Sequence, residues 1–205
     1  ACSDDYQKPP QIDEFFVAND AYAQTQVNVT GFCDATILSD STKQYGGYWN
    51  GNLKLVLWER VFATGVITKY VYDGTVGRPD ITYSGKDYHS CISLGQDSSG
   101  LIHVWYGMHS DQMRYRKATS INSVSNLGSN LGVMVVGNDA FEDQSTYPRA
   151  YNDNNGILYF TYRCNGTSGD GDQCLYVYDV DSTIWSAAIA SDTNGRFVTG
   201  TSTNR

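Results

Sequence analysis

Three similar segments, each about fifty residues from the next, constrain the fold of this chain most strongly. Each places a glycine directly before an aromatic-rich strand, in the sequences GNLKLVLW from Gly51, GLIHVWY from Gly100 and GILYFTY from Gly156. The glycines are 49 and 56 residues apart, and turns rich in Asp, Asn or Ser precede them. Units of about four strands that repeat at this period are typical of β-propeller blades. We therefore predict an all-β chain with blade-like units at roughly 31–80, 81–136 and 137–190.

The repeat also leaves the chain short of a closed ring. Closed propellers have typically 4–8 blades, so residues 1–205 are expected to form a single propeller domain or a partial propeller. The ring would then be completed by further blades, from another chain or from a missing C-terminal part. A β-sandwich is the open alternative, because it also has short strands, although it predicts no repeat. Sixteen Tyr, four Trp and twenty Gly favour β-structure with many turns in either case.

Individual strands follow from alternating patterns bounded by turn residues. No window supports an amphipathic helix of useful length, and the polar stretch 39–51 is expected to be a long turn region. The predicted strands are 26–30, 31–38, 53–60, 65–72, 89–96, 101–108, 113–117, 133–136, 146–151, 157–163, 175–179 and 183–190. Residues 110–112 are expected to be the turn between the strands 101–108 and 113–117. Alternation in the strand 101–108 places Ile102, Val104 and Met108 on one face and Trp105 on the other.

The central hairpin carries all three histidines of the chain. His89 begins one predicted strand and His109 ends the next, so antiparallel pairing brings both to the same end of the sheet. In the following unit Tyr147 occupies the position of His89, and Arg163 lies near the position of His109. We therefore predict a catalytic site at one rim, formed by His89, His109, Tyr147 and Arg163.

Each of these residues also has a structural interpretation. A histidine at a strand end is often a turn or surface residue, and Tyr147 could simply pack beside Pro148. Arg163 could pair with Asp170 or Asp172. His103 lies in the middle of a strand beside Trp105, and we expect it to be structural.

Cysteines, glycosylation motifs and charge bear on location and partners. Cys164 and Cys174 flank a Gly/Asp-rich loop and are expected to form a disulfide, whereas Cys91 is expected to carry the free thiol of the five cysteines. Sequons at Asn28 and Asn165 and the expected disulfide favour a secreted protein, and no window resembles a membrane span. The net charge of −8 argues against a nucleic-acid partner but not against an anionic substrate bound by local arginines.

Two stretches resemble a known family, the BNR-repeat polysaccharide lyases with a seven-bladed propeller, which include ulvan lyases and rhamnose–glucuronate lyases. The stretches are DYHSCISLGQDSSGLIHVWYGMHSDQMRY from 87 and YPRAYNDNNGILYFTYRCNGTSGDGD from 147, within a resemblance that covers roughly residues 30–180. In that family two histidines about twenty residues apart, then a tyrosine and an arginine sixteen apart, line the active cleft. His89 and His109, and then Tyr147 and Arg163, match these spacings. The family's further arginine in a later blade has no match here, because Arg196 does not fit the spacing.

The resemblance implies a lyase that acts on a uronate-containing acidic polysaccharide, ulvan-like or glucuronate-rich, by β-elimination. This chain would then cover about half of a seven-bladed ring. The family's chemistry implies Arg163 neutralising the uronate carboxylate, His89 and Tyr147 as the acid/base pair and His109 orienting or neutralising, with no cofactor and no catalytic metal. Two other functions stay open. One is a glycoside hydrolase or sialidase-like propeller, for which Asp97 and Asp170 lack a convincing partner. The other is a non-catalytic carbohydrate-binding or assembly module.

Overall fold

The computed structural model describes residues 14–22, 28, 36–83, 89–166 and 171–200. These residues form an all-β structure of three antiparallel sheets, with one short helix. The first sheet has the order β1-β2-β3-β4, and the second has the order β5-β6-β8. The third has the order β12-β11-β10-β9-β7, and β13 also pairs with β11. The strands are β1 Ile37–Ser39, β2 Lys43–Trp49, β3 Leu55–Val61, β4 Ile67–Val71, β5 Ile92–Gln96, β6 Ile102–Tyr106, β7 His109–Asp111, β8 Tyr115–Lys117, β9 Ser145–Asn152, β10 Leu158–Cys164, β11 Asp172–Asp179, β12 Ile184–Ala187 and β13 Arg196–Val198, and the helix is α1 Asp139–Glu142.

The middle sheet is covered on both faces, as alternation along β6 requires. Ile102 and Val104 point into a core shared with the first sheet, whereas Trp105 points into a core shared with the third. There the Trp105 ring stacks on Phe160, with ring centroids 4.3 Å apart. A two-sheet sandwich has one core between two sheets, so this three-layer stack is the arrangement expected of successive propeller blades.

The first sheet corrects the prediction of a long turn region over 39–51. Seven of these residues form β2, which pairs with β3 from Lys43 opposite Val61 to Trp49 opposite Leu55. The Gly46-Gly47 pair resembles a turn in the sequence, but the Trp58 indole occupies the space that a Cβ of Gly46 would take. The glycine therefore serves close packing inside a strand rather than a turn.

The central hairpin also differs from its predicted form in two places. Met108 was expected beside Ile102 and Val104 but belongs to the other core, because Gly107 has φ +66° and ends the regular strand. The predicted turn at 110–112 is instead mostly β7, which leaves its own sheet and pairs with β9 of the next one.

The predicted strand 133–136 is wrong, since this segment is a loop. The buried carboxylate of Glu142 accepts hydrogen bonds from the backbone N–H groups of Met134 at 2.6 Å and Val135 at 3.0 Å. Those backbone groups are therefore occupied by a side chain and do not join a sheet ladder.

The remaining predicted strands are found with shifted ends, except where they fall on residues outside the described ranges. Most of 26–30 and residues 31–35 lie there, and β1 contains only the end of the predicted strand 31–38. The unit boundaries at 31–80, 81–136 and 137–190 stay a prediction. Among the described residues, no helix has the length and apolar character needed to cross a membrane.

The cysteines confirm one prediction and correct another. Cys164 and Cys174 form a disulfide, with Cα atoms 5.9 Å apart, that joins β10 to β11. Cys91 is fully buried but is disulfide-bonded, so its assignment as the free thiol is wrong. Burial alone did not distinguish a buried thiol from a buried disulfide.

The two sequons lie in different surroundings. The Asn28 side-chain amide donates to the carbonyls of Tyr22 at 2.9 Å and Trp49 at 2.8 Å, and a glycan on its nitrogen would replace one of these N–H groups. Asn165 is exposed and is the better candidate for glycosylation.

Candidate functional site

Three of the four predicted site residues meet directly at one end of the second and third sheets. The His89 ring lies just before β5, and its centroid is 4.4 Å from that of His109 and 5.5 Å from that of Tyr147. The Arg163 guanidinium carbon lies 5.2 Å from the Tyr147 ring centroid. The four side chains thus form one continuous group, which we call the rim cluster. That they are catalytic stays a prediction.

The exchange of β7 into the neighbouring sheet explains how residues from two blade-like units come together. His109, the first residue of β7, pairs with Thr146 of β9, directly beside Tyr147 in the chain. His109 therefore lies against the third sheet, although the preceding strand β6 belongs to the second. The sequence placed His109 at the correct end of the hairpin but did not reveal this strand.

Tyr147 lies at an irregularity in β9. The pairing of β9 with β10 shifts between Thr161 and Arg163, and Tyr147 has φ +57°. A bulge of this kind redirects side chains and is found beside active sites more often than elsewhere. A positive φ in a residue with a bulky side chain is also unfavourable, which is typical of functional positions. The bulge aims Tyr147 at His89 and Arg163.

Arg163 is almost fully buried, with 9% of its surface exposed. Its Nη2 donates to the hydroxyl oxygens of Ser110 at 3.0 Å and Thr146 at 2.9 Å. These hydroxyls fix the guanidinium beside the Tyr147 ring. Pairing of Arg163 with Asp172 was the alternative interpretation. The described contacts of the Asp172 carboxylate are with other residues, because it accepts a hydrogen bond from Asn165 and lies 3.7 Å from the Arg196 guanidinium.

Arg196, which did not fit the expected spacing for a second site arginine, lies in β13, and its described contacts are with Asp192, Asp172 and Phe141. Its Nε donates to Asp192 at 2.8 Å. It therefore links β13 to the loop before it.

The third histidine lies in a separate group of Asp97, His103 and Tyr115, which we call the buried cluster. His103 has no exposed surface, and its Nε2 lies 3.0 Å from the Asp97 carboxylate while its Nδ1 lies 2.7 Å from the Tyr115 hydroxyl. A neutral imidazole that donates from Nε2 and accepts at Nδ1 satisfies both contacts. These contacts support the expected structural role of His103.

The pKa values of the buried cluster fit this arrangement. Burial lowers the pKa of His103 and outweighs the neighbouring Asp97 carboxylate, so the ring stays neutral. Burial alone would raise the pKa of Asp97, but hydrogen bonds from His103, Ser99 and the Leu101 backbone lower it to about 2. The predicted hydrolase candidate Asp97 is therefore an ionised structural group, and Asp170 lies outside the described residues.

A cavity of about 330 Å³ lies beside the rim cluster and shares Tyr147 with it. An arginine, a glutamine, a threonine and an exposed phenylalanine from β9, β10, β11 and β13 form the rest of its wall, namely Arg149, Gln173, Thr161 and Phe197. The sequence analysis missed these residues. Arg149 is two residues after Tyr147 in β9, so regular alternation would place both on one face. The register shift in the β9–β10 pairing interrupts this alternation.

Within the described ranges, no three His, Cys, Asp or Glu side chains are grouped so as to hold a metal ion. The rim cluster itself offers two imidazoles, a phenol and a guanidinium.

Comparison with known proteins gives the family. A family model described as a BNR repeat-containing family member matches residues 43–203. The chain belongs to the BNR repeat-containing family. This family match and the sheet arrangement agree with the resemblance drawn from the sequence. No curated protein matches the chain.

Several solved structures share the fold. Polysaccharide lyase Uly1 aligns with 88% of this chain at 17% identity and a TM-score of 0.62, and a PL25 ulvan lyase aligns with 82% at 16% identity and a TM-score of 0.57. A structure of a PL25 ulvan lyase bound to -[GlcA(1-4)Rha3S]- aligns with 82% of this chain at 16% identity and a TM-score of 0.56. The alignments cover 44%, 38% and 38% of those chains, so this chain spans less than half of their length. At these identities the likeness concerns the fold.

Proposed function

We propose that the rim cluster is the active site of a polysaccharide lyase, which cleaves a uronate-containing acidic polysaccharide by β-elimination. The observation that carries this proposal is the grouping of two imidazoles, a phenol and a fixed guanidinium from two sheets. Likeness in fold to lyases, one of them bound to a glucuronate-containing saccharide, supports the choice of substrate class.

The reaction needs three functions that this cluster can supply. The C5 proton of a uronate is only weakly acidic, because removal of the proton places charge beside a carboxylate that is already negative. Arg163 would neutralise that carboxylate and stabilise the charge that develops on proton removal. A base then removes the proton, the bond between C4 and the glycosidic oxygen breaks, a C4–C5 double bond forms, and an acid protonates the leaving oxygen.

His89 and Tyr147 are the acid/base pair in this proposal. His109 orients the reacting groups or neutralises their charge. Imidazole suits proton transfer near neutral pH, and a phenol can act as its partner. The guanidinium of Arg163 beside the Tyr147 ring places positive charge where negative charge develops. His109 lies against His89 and can fix the orientation of its ring.

The cavity beside Tyr147 can bind the part of the polymer next to the cleaved bond. A polyuronate carries charges at regular intervals, and Arg149 and Gln173 supply a cation and hydrogen-bonding groups next to the proposed reaction centre. We assign this cavity to binding rather than to proton transfer.

We also propose that the protein acts outside the cell. The Cys164–Cys174 disulfide and the bonded Cys91 require an oxidising compartment to form and persist. A polysaccharide substrate of high molecular weight is consistent with that location.

The test is the ultraviolet absorbance of the unsaturated uronate after incubation of the chain with ulvan or a glucuronate-rich gum. Arg163→Lys keeps the charge but loses the forked geometry, so we expect kcat to fall by at least ~10²-fold, and Arg163→Ala to reduce it further. Arg60→Lys is the matched control, because Arg60 lies over Phe15 in the first part of the chain and should leave kcat unchanged.

The outcomes separate the alternatives. Full kcat in Arg163→Lys would make Arg163 structural and the mechanism wrong. Binding of the polymer by the wild-type chain without any product would instead favour the non-catalytic carbohydrate-binding or assembly module. The same assay would then be repeated with the ring completed by further blades.

A further inference from the structure

The hydroxyls of Ser110 and Thr146 both bind Arg163, and these two residues are the chain neighbours of His109 and Tyr147. Thr146 has no exposed surface, and its Oγ1 accepts hydrogen bonds from the Ser110 backbone N–H at 2.7 Å and from Arg163 Nη2 at 2.9 Å. The Ser110 Oγ accepts a second bond from the same Nη2 at 3.0 Å. A hydroxyl has two acceptor lone pairs, so Thr146 uses both for these contacts.

This hydroxyl pair lies next to three site residues, namely His109, Tyr147 and Arg163. Thr146 precedes Tyr147 in the chain and lies opposite His109 in the β7–β9 pairing. Ser110 follows His109, and it holds φ +48°, an uncommon conformation for serine. The bond from its N–H to Thr146 therefore fixes the irregular β7 against the bulged start of β9.

We propose that Thr146, assisted by Ser110, is a positioning residue that holds the Arg163 guanidinium in one orientation for the reaction. This inference rests on the proposed function and assigns residues to it that the sequence did not reveal. Both hydroxyls act on one nitrogen, which sets the plane of the guanidinium fork as well as its place. Arg163 has several rotatable bonds, and the two acceptors restrict the orientations that its fork can take.

The two hydroxyls should contribute unequally. Removal of the Ser110 hydroxyl leaves Thr146 as an acceptor for Nη2 and keeps the β7–β9 bond. Removal of the Thr146 hydroxyl takes away one acceptor for Nη2 and the acceptor for the Ser110 N–H together. Thr146→Val, which keeps the shape of the side chain, should therefore be more harmful than Ser110→Ala.

The first experiment measures the orientation of Arg163 without any turnover. Hydrogen-bonded Nη2 should rotate slowly, so the wild-type chain should show resolved guanidinium N–H signals in nitrogen-15 NMR, identified by their absence in Arg163→Lys. We expect Thr146→Ser to keep these signals and Thr146→Val to lose them. Thr68→Val, the same change at an exposed site in β4, should keep them.

The second experiment measures kcat and KM of the same variants with ulvan or the glucuronate-rich gum as substrate. We expect Thr146→Val to lower kcat on the order of 10²-fold, as for a misplaced reacting group, and Thr146→Ser to restore most of it. Unchanged Arg163 signals and unchanged kcat in Thr146→Val would overturn the positioning role. Equal losses in Thr146→Val and Thr146→Ser would also overturn it, because they would show that packing and not the hydroxyl matters. Ordered Arg163 signals in a wild-type chain that binds the polymer but forms no product would support the positioning of Arg163 and count against the proposed function.

Discussion

The rim cluster and the buried cluster hold the three histidines of this chain in opposite surroundings. His103 has no exposed surface and both ring nitrogens are within hydrogen-bond distance of buried partners, whereas His89 and His109 are half-buried and lie against each other and Tyr147. All three belong to one short stretch around the same hairpin. The chemistry available to a histidine is therefore decided here by whether its strand position faces a core or reaches an open end of the sheet.

The same contrast applies to charge. In the buried cluster the Asp97 carboxylate is fully engaged by His103, Ser99 and backbone N–H groups, so its charge stabilises the fold. In the rim cluster two hydroxyls orient the Arg163 guanidinium, which lies beside the Tyr147 ring at the open end of the sheets. Variants in each cluster should therefore affect either kcat or the free energy of unfolding.

The largest effect should come from His89→Asn in the rim cluster. Loss of a group that transfers protons should lower kcat by ~10²–10⁴-fold, while the free energy of unfolding changes by less than about 1 kcal/mol. Lyase assays together with urea denaturation check both values. Wild-type kcat in a folded His89→Asn chain would remove His89 from the acid/base pair.

His103→Phe should show the reverse pattern. The change leaves the buried Asp97 carboxylate and the Tyr115 hydroxyl without their partner, and we expect a loss of about 3 kcal/mol in the free energy of unfolding. The kcat of the protein that remains folded should stay close to the wild-type value. A strong loss of kcat at unchanged stability would show that the two clusters are not separate in function.

A second buried carboxyl, Glu142, should give a pH dependence of its own. Burial raises its pKa to about 7 from 4.5, although the N–H groups of Met134 and Val135 oppose the shift. The folded chain thus holds this proton more tightly than the unfolded chain does. The stabilisation is full below pH 4.5 and is lost as the pH rises through 7.

The size of that loss should be about 3 kcal/mol in the free energy of unfolding between these pH values. Urea denaturation from pH 4 to 8 measures it, and Glu142→Gln should lack this component. Glu14→Gln, at an exposed position, is the matched control and should retain it. An identical pH dependence in Glu142→Gln and the wild type would contradict the assignment.

The smallest effect should come from Arg149→Ala in the cavity beside the rim cluster. An exposed charge contributes up to about 1 kcal/mol, so KM should rise about fivefold at low salt with little change in kcat. The effect should shrink as salt is added. Arg60→Ala serves as the control, and a fall in kcat without a rise in KM would move Arg149 from binding to catalysis.

The repeat of glycine and aromatic strand was enough to predict the all-β blade-like architecture and the end at which the four site residues meet. Period-2 alternation in β6 also predicted which of its residues face each core. The positions that failed have physical reasons. Gly46-Gly47 resembles a turn until Trp58 is known to pack on it, and Met108 changes sides because Gly107 takes a positive φ.

Other features depend on contacts between distant parts of the chain, which local patterns do not contain. The β7–β9 pairing brings together residues that are 37 apart at His109 and Thr146, and the bulge at Tyr147 follows from a register shift. The Ser110 and Thr146 hydroxyls had no sequence signal of their own, because serine and threonine are common at strand ends and turns.

Mass spectrometry of the products formed in heavy-oxygen water tests directly whether the rim cluster performs β-elimination. Elimination breaks the bond between C4 and the glycosidic oxygen without adding water. We therefore predict fragments with an unsaturated uronate end that contain no heavy oxygen in early samples, taken before the new reducing end exchanges its anomeric oxygen with water, and Arg163→Lys should slow their formation. Incorporation of heavy oxygen into saturated fragments would show hydrolysis and contradict the account.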